Sequence, residues 1–592
     1  MTDSRPDSLF SEFPPITRDE WKAKATSELN DTPYESIIWH TPEGFKLEPW
    51  YSSAEKVHHL PIPLNRSINS WKSCFLVTVN NPAQANAEAL RYLKQDARAL
   101  EFCFTDPALF TAEHLGALLA GIELPAISLY FSGALPPAAQ LFERLSSLKG
   151  FQDASGALLA PLPETNPEVD RDIAALIHSH PRFTLLSIDA TPFHEEGATA
   201  SQEIAYALAG ASDLIHRFLQ AGITAGEAAT SMEIILSVGS SHFTELAKPR
   251  ALRYLLGHLL KAYGAPLGTP RPRLFARTSA RNRSLLDPYT NILRLTSEAV
   301  SAILGGYETL QLRVFDDGLS VEPEVARRIT GNIHLVLKEE GLLDRVVDPA
   351  GGSNYIETLT RELAASAWGL FCQIEKSGGL PAAKRSGMIE RLARESAEAR
   401  QKEIVKRKKT LLGVNRYTWP LTPDQERNLG LLEEKLSSLS DASESAAFEL
   451  LRLKTLSHRK QHGSAPAAFI WMVGDPTISQ RQAGFCEELF KCGGFEISGC
   501  EALSPEEGSC KRALERSPAF VVLCIAEKDP VSRAETMCRS LKALNPSILL
   551  LMAGRPPKES EQLAAAGLEG FLYTGVDVLE TLSTFQRKTG VQ

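Results

Sequence analysis

The stretch LLSIDATPFHEEGATASQEIAYALAG, residues 185–210, decides the fold. Leu185, Leu186, Ser187 and Ile188 make an apolar run that stops at Asp189. A loop with His194, Glu195 and Glu196 follows, and then small residues at helical spacing. Apolar run, polar turn and helix make the repeating unit of an α/β protein, and the turn after the strand is where such folds keep their chemistry. How often this unit recurs sets the architecture. Whether this turn still reacts sets the function.

Outward from it, the strand candidates are CFLVTVN (74–80), ALEFCF (99–104), AISLYFSG (126–133), FTLLSID (183–189), EIILSV (233–238), PRLFART (272–278), TLQLRVF (309–315) and RVVD (345–348). Helical patterns lie between most of them, such as ALRYLLGHLLKAYG (251–264) and NILRLTSEAVSAILGG (291–306). In the second, Ile292, Leu295, Ala299 and Ile303 form one stripe, and a glycine pair marks its C-cap. About eight such units over residues 66–380 predict a (β/α)8 TIM barrel. From residue 467 the rhythm restarts as AFIWMVG, FEISGC, AFVVLCIA, SILLLMAG and GFLY. Five units predict a second, doubly wound α/β domain over 466–592, with its ligand crevice beyond the strands' carboxyl ends. Residues 381–465 read as a charged helical linker whose basic cluster Lys406, Arg407, Lys408, Lys409 is a solvated helix end. Residues 1–65 read as an arm rich in proline and aromatics, with one helix over Arg18–Leu29, capped by Thr17 with Glu20 three residues on. Such an arm cannot build a core alone, so it lies on another surface, its own or a partner's.

The totals agree with two or three soluble domains: 592 residues, 43% hydrophobic and 23% charged. A net charge of −9 speaks against a nucleic-acid partner, which would want a concentrated basic face. The opening MTDSRPDSLF shows no secretory pattern, and no apolar run approaches the ~20 residues of a membrane span. The nine cysteines are scattered without a C-x-x-C pair, which predicts free thiols in a reducing cytoplasm and gives no support to structural zinc.

Longer motifs add a family. FARTSARNRSLLDPYTNILRLTSEAVSAILGG (275–306), RVVDPAGGSNYIETLTRELAASAW (345–368) and LLGVNRY (411–417) resemble the adenosylcobalamin-dependent methylmalonyl-CoA mutases, as do FPPITRDEWKA (13–23) and WHTPEGFKLEPWY (39–51) in the arm. The resemblance covers nearly the whole chain and is weakest from about 60 to 180. It implies an acyl-CoA barrel capped by a flavodoxin-like cobalamin domain.

It also says which residues ought to carry the chemistry, and they are changed. Catalytic members place an Asp-x-His-x-x-Gly after the first strand of the cobalamin domain, the His ligating cobalt. Counted back from Gly494-Phe495, those positions are Thr477, Ser479 and Gln482, and no histidine follows His462. A shift of register to Asp475 puts Thr477 at the ligand position, which is no better. A serine hydroxyl is a poor substitute for imidazole on cobalt. The family's Ser-x-Leu and Gly-Gly around the buried nucleotide tail become Ile525-Ala526-Glu527 and Ala553-Gly554, which predicts a lost pocket. In the opening stretch, anchored on Glu195 and Gly197-Ala198-Thr199, the family's Tyr and His fall on Thr191 and Pro192. Proline has no proton to offer. His194 stands where the family has Gln and is expected on the surface of the loop. Leu310-Gln311-Leu312-Arg313 and Thr278-Ser279-Ala280-Arg281 depart in the same direction, and no Arg-Gly-Pro-Tyr follows SINSWKSC (67–74).

Together these losses resemble the small (β) subunit of a heterodimeric mutase. The resemblance implies a non-catalytic, cytoplasmic chain that holds no cofactor itself and packs on a large (α) subunit carrying adenosylcobalamin. Trp39, Pro49, Trp50 and Tyr51 are then either anchors across that interface or buried against the chain's own barrel. Two alternatives stay open: a self-sufficient acyl-CoA mutase with atypical cobalamin binding, and a regulatory partner of the mutase.

Overall fold

Apolar, branched and aromatic runs become strands wherever a helix can cover their outer face. The computed structural model describes residues 16–30, 32–51, 60, 62, 66–161, 166–316 and 323–591. The arm contributes the capped helix Arg18–Glu28 and a short antiparallel hairpin, β1 (Trp39–His40) with β2 (Lys46–Leu47). Then come β3 (Lys72–Val79), β4 (Ala99–Phe104), β5 (Ser128–Gly133), β6 (Ser155–Leu159), β7 (Phe183–Thr184), β8 (Leu186–Asp189), β9 (Met232–Val238), β10 (Arg273–Thr278) and β11 (Thr309–Gln311). Their pairings are all parallel, in the order β7-β6-β5-β4-β3-β11-β10-β9-β8. Only Leu185 separates β7 from β8, so they act as one interrupted strand and the sheet closes on itself as a (β/α)8 barrel.

One strand differs from the sequence expectation. RVVD (345–348) lies in an irregular loop: Asp348 has φ 48°, left-handed and foreign to any strand, and its carboxylate pairs with Arg250. The missing strand is β6, SGALL. Small residues conceal it, and they are required there. A Cβ on Gly156 would stand 1.7 Å from the carbonyl oxygen of Leu129 on β5, so only glycine fits. β11 is also shorter than TLQLRVF, because Arg313 turns to donate to the Thr278 hydroxyl and carbonyl oxygens.

The opening stretch folds as its pattern asks. Thr199 and Gln202 cap each other's backbone N–H groups at the start of helix Ala200–Gln220. Its alanines and Gly210 let the helix nest on Ile188 of β8. Helix His242–Ala262 starts nine residues before the predicted segment and continues through Pro249, whose ring packs against Gly305. Helix Pro288–Gly305 ends on the left-handed Gly306.

The second domain holds β12 (Ala467–Gly474), β13 (Glu496–Ala502), β14 (Phe520–Ala526), β15 (Leu549–Ala553) and β16 (Leu568–Leu572), all parallel, in the order β13-β12-β14-β15-β16. That is the flavodoxin-like order. Phe490, Phe495, Phe520 and Phe585 pack on one face of the sheet, Trp471, Leu523, Met537 and Leu541 on the other. In the linker, the basic cluster is only half solvated. Arg407 turns inward to Glu488 at 2.5 Å and Lys409 to the buried Glu444 at 2.7 Å. Among the described residues no helix is long and apolar enough to cross a membrane.

Candidate functional site

Alternate residues of each barrel strand face the bore, and here they fill it. In the lowest tier, Arg273 pairs with Glu233 at 2.9 Å and the Lys72 ammonium donates to Ser128 at 2.7 Å. Above it Cys74, Ala99, Tyr130, Ala157, Ile235 and Phe275 form an apolar plug, with the Tyr130 and Phe275 rings 5.2 Å apart. The top tier converges on Glu101. Its carboxylate accepts from Ser132 Oγ at 2.7 Å, Gln311 Nε2 at 2.6 Å and Arg277 Nη2 at 2.8 Å, while Arg277 Nη1 reaches Asp189 at 2.9 Å. Burial alone would pull Arg277 down, but Glu101 and Asp189 hold the guanidinium above its ordinary range. These side chains fill the centre of the barrel, as is usual for a (β/α)8 fold. Glu101 and Arg277 were not singled out from the sequence, although a charge in the middle of ALEFCF and of RLFART is the signal that finds them.

At the mouth, Thr191 and Pro192 open the short helix Thr191–Glu195. The Thr191 amide and hydroxyl both donate to Asp189 Oδ1, at 2.9 and 2.6 Å, and Pro192 is exposed. His194 is not at the surface. It is buried, 3.0 Å from Ser279 Oγ and 3.6 Å from Glu203, because the helix turns its ring under the ends of β9 and β10. Burial, then Arg281 and Lys248, push its pKa well below the ordinary value, so the ring is neutral. Beneath it, Lys248 is fully buried between Glu203 at 2.7 Å and Glu245 at 2.6 Å.

The arm hairpin roofs a polar chamber of about 90 Å³ beside His194, with Trp39 and Glu43 above, Arg281 on the barrel, and Arg400, Lys409 and Glu444 from the linker. Of the four arm anchors, Trp50 stacks on Trp21 at 5.3 Å and Tyr51 meets Tyr355 edge-on at 5.8 Å, within the chain. Trp39 is 38% exposed and Pro49 is exposed.

In the second domain Ser479 sits in the first turns of helix Pro476–Cys492. It is buried, and its hydroxyl donates back to the carbonyl oxygen of Asp475 at 2.8 Å. Thr477 is exposed, and Asp475 caps the helix through the Ile478 amide at 3.0 Å. At the switch point between β12 and β14 the Asp475 amide extends the ladder by donating to the carbonyl oxygen of Ala526 at 3.0 Å, and Glu527 pairs with Arg533 at 2.8 Å. Beside Ala553-Gly554 an open cleft of about 900 Å³ remains. It is lined by Gln482, Gly484 and Phe485 of helix Pro476–Cys492 and by Arg555 and Tyr573 beyond β15 and β16. Gly484 lies mid-helix, where glycine costs about 1 kcal/mol against alanine, and a Cβ there would meet nothing within 4 Å.

Known proteins match this sequence. Residues 149–454 match the family model described as methylmalonyl-CoA mutase. The methylmalonyl-CoA mutase small subunits of Porphyromonas gingivalis and Streptomyces virginiae are each 28% identical, the alignments covering 99% of this chain and 99% and 98% of theirs. The methylmalonyl-CoA mutase of Rhizobium meliloti is 28% identical over 67% of this chain and 63% of its own length. A barrel followed by a flavodoxin-like sheet, a family match across more than half the chain and end-to-end similarity to small subunits converge: this chain belongs to the methylmalonyl-CoA mutase family.

Proposed function

We propose that the chain is the small, non-catalytic subunit of a cytoplasmic heterodimeric methylmalonyl-CoA mutase. In this role it stabilises a large subunit that carries adenosylcobalamin and interconverts methylmalonyl-CoA and succinyl-CoA. The observation that carries the reading is the filled bore: Tyr130, Phe275 and the Glu101–Arg277 pair occupy the axis that an acyl-CoA would have to enter. The cobalt position supports it. Ser479 offers a neutral hydroxyl already spent on its own helix, so the residues present do not fit a corrinoid's lower nitrogen ligand. Pro192, where the family keeps a proton-bearing ring, adds to this.

The test uses the purified chain alone. Equilibrium dialysis against adenosylcobalamin should leave no cofactor with the protein, and methylmalonyl-CoA should not turn over. Co-expression with a large subunit should give a one-to-one complex that survives high salt and turns over. A corrinoid spectrum retained by the isolated chain would defeat the reading.

A further inference from the structure

We propose that His458 and His462, one turn apart at the end of helix Ala446–His462, chelate a transition-metal dication of the zinc class. This goes beyond the proposed function and does not depend on it. Of the thirteen histidines only these two stand four residues apart, the spacing that puts both rings on one face of a helix. The rings lie against each other, with centroids 4.1 Å apart and planes inclined by 21°. His462 is exposed and His458 half-buried, so an ion reaches them from solvent. The His462 Nδ1–H donates to the carbonyl oxygen of His458 at 3.1 Å, which fixes the tautomer and leaves Nε2 with its lone pair. An imidazole held through Nδ1 on a backbone carbonyl is a common zinc donor. Bonds of about 2.1 Å to one ion need the two nitrogens about 3 Å apart, which the rings reach by tilting toward each other.

The surroundings favour one dication over two protons. A helix C-terminus attracts positive charge, yet burial and then His462 lower the pKa of His458, because two charged rings in contact repel. A single ion between them meets the same helix end without that repulsion. The cations beside the pair on the helix are drawn elsewhere: Arg459 pairs with Glu426 at 2.5 Å, and the Lys460 ammonium donates to the carbonyl oxygen of Glu426 at 3.3 Å. Among the described residues no three histidine, cysteine or carboxylate side chains gather for a metal, so water completes the shell and the ion exchanges readily. Two nitrogens without a carboxylate select zinc, nickel or copper over magnesium and calcium, which want oxygen. The chelate staples the last turn of a helix that joins the domains. Glu449 on it accepts from the Leu286 amide at 3.1 Å, and the Thr455 hydroxyl donates to the carbonyl oxygen of Gly493 at 2.6 Å.

The experiment is equilibrium dialysis of the full chain against zinc chloride at about pH 7.5, where free imidazole is mostly neutral, with magnesium chloride as the second arm. The parent should hold one zinc ion more than His458→Gln and one more than His462→Gln, while magnesium should distinguish none of the three. Zinc taken up by other histidines or by thiols is common to all three chains and cancels. Neither ring belongs to a core, so without metal both variants should melt with the parent. Deuterium exchange supplies the second readout: zinc should slow the last-turn amides, residues 459–463, at least threefold in the parent and in neither variant. Equal zinc content in parent and variants, loss in one variant only, or magnesium uptake equal to that of zinc would each overturn the proposal. Extra zinc held by the parent with no slowing of the last turn would mark an adventitious ion only, and would overturn it as well.

Discussion

His334 is buried beneath β3, where the Trp71 indole N–H donates to its Nδ1 at 3.2 Å and Phe75 lies 5.8 Å away. Burial lowers its pKa to about 3, so the folded chain keeps the ring neutral while the unfolded chain protonates it near pH 6.5. Its contribution is complete above pH 6.5 and is lost as pH falls toward 3, at about 1.4 kcal/mol per pH unit. Urea midpoints at pH 7, 6 and 5 should show that slope, and His334→Gln should flatten it. Lys248 offers a second test. Replacing it with Met strands Glu203 and Glu245 without their cation, and denaturant titration should show a loss of about 3–5 kcal/mol. At this scale the sequence shows residue type but not company. Thr191 and Pro192 lie just past β8 and Ser479 just past β12, where counting from flanking residues puts them. The inward turn of His194 was not legible, because Ser279, its hydrogen-bond partner, comes from another strand's end.

The loop LLGVNRY owes its shape to one side chain. Asn415 is fully buried, accepts from the Leu411 amide at 2.8 Å and donates to the carbonyl oxygens of Ile404 at 3.0 Å and Lys409 at 2.9 Å. Asn415→Ala should cost about 2–3 kcal/mol in a denaturation experiment and raise proteolytic cutting around Arg416 and Tyr417, since the Leu411 amide and the Lys409 carbonyl lose the Asn415 side chain while the Ile404 carbonyl keeps the Arg407 amide. Strands built from branched and aromatic residues, such as β4 and β9, were legible within a residue or so. β6 was not, because what fits beside Leu129 is glycine, and glycine reads as a turn. RVVD misled for the opposite reason: it is apolar enough for a strand, yet Val346 is 59% exposed.

Across the whole molecule, Glu444 joins linker to barrel. Its buried carboxylate takes Lys409 at 2.7 Å and lies 3.6 Å from Arg281 and 3.5 Å from Arg400, while its amide donates to the carbonyl oxygen of Arg281. Burial favours protonation, but the three cations outweigh it and hold the pKa below the usual carboxylate value. With the folded pKa depressed, this stability is present above about pH 4.5 and lost as pH falls through the folded value. Glu444→Gln should remove about 3–5 kcal/mol at pH 7, measured by urea unfolding, and should erase that acid sensitivity. The alternation of the two domains was plain in the sequence, because each domain repeats one local unit. The contacts that tie each domain to the linker were hidden, because Arg281 and Arg407 look like any solvated charge until a distant carboxylate, Glu444 or Glu488, is placed beside them.

The interrupted strand of the barrel has a consequence of its own. β7 meets β6 through only two paired residues, Phe183 opposite Gly156 and Thr184 opposite Ala157, whereas β3 and β4 share six. A cylinder loosens at its shortest seam, so deuterium should enter the ring first at Phe183–Leu186 and last along β3 and β4, and transient breathing of the barrel should begin as a slit there.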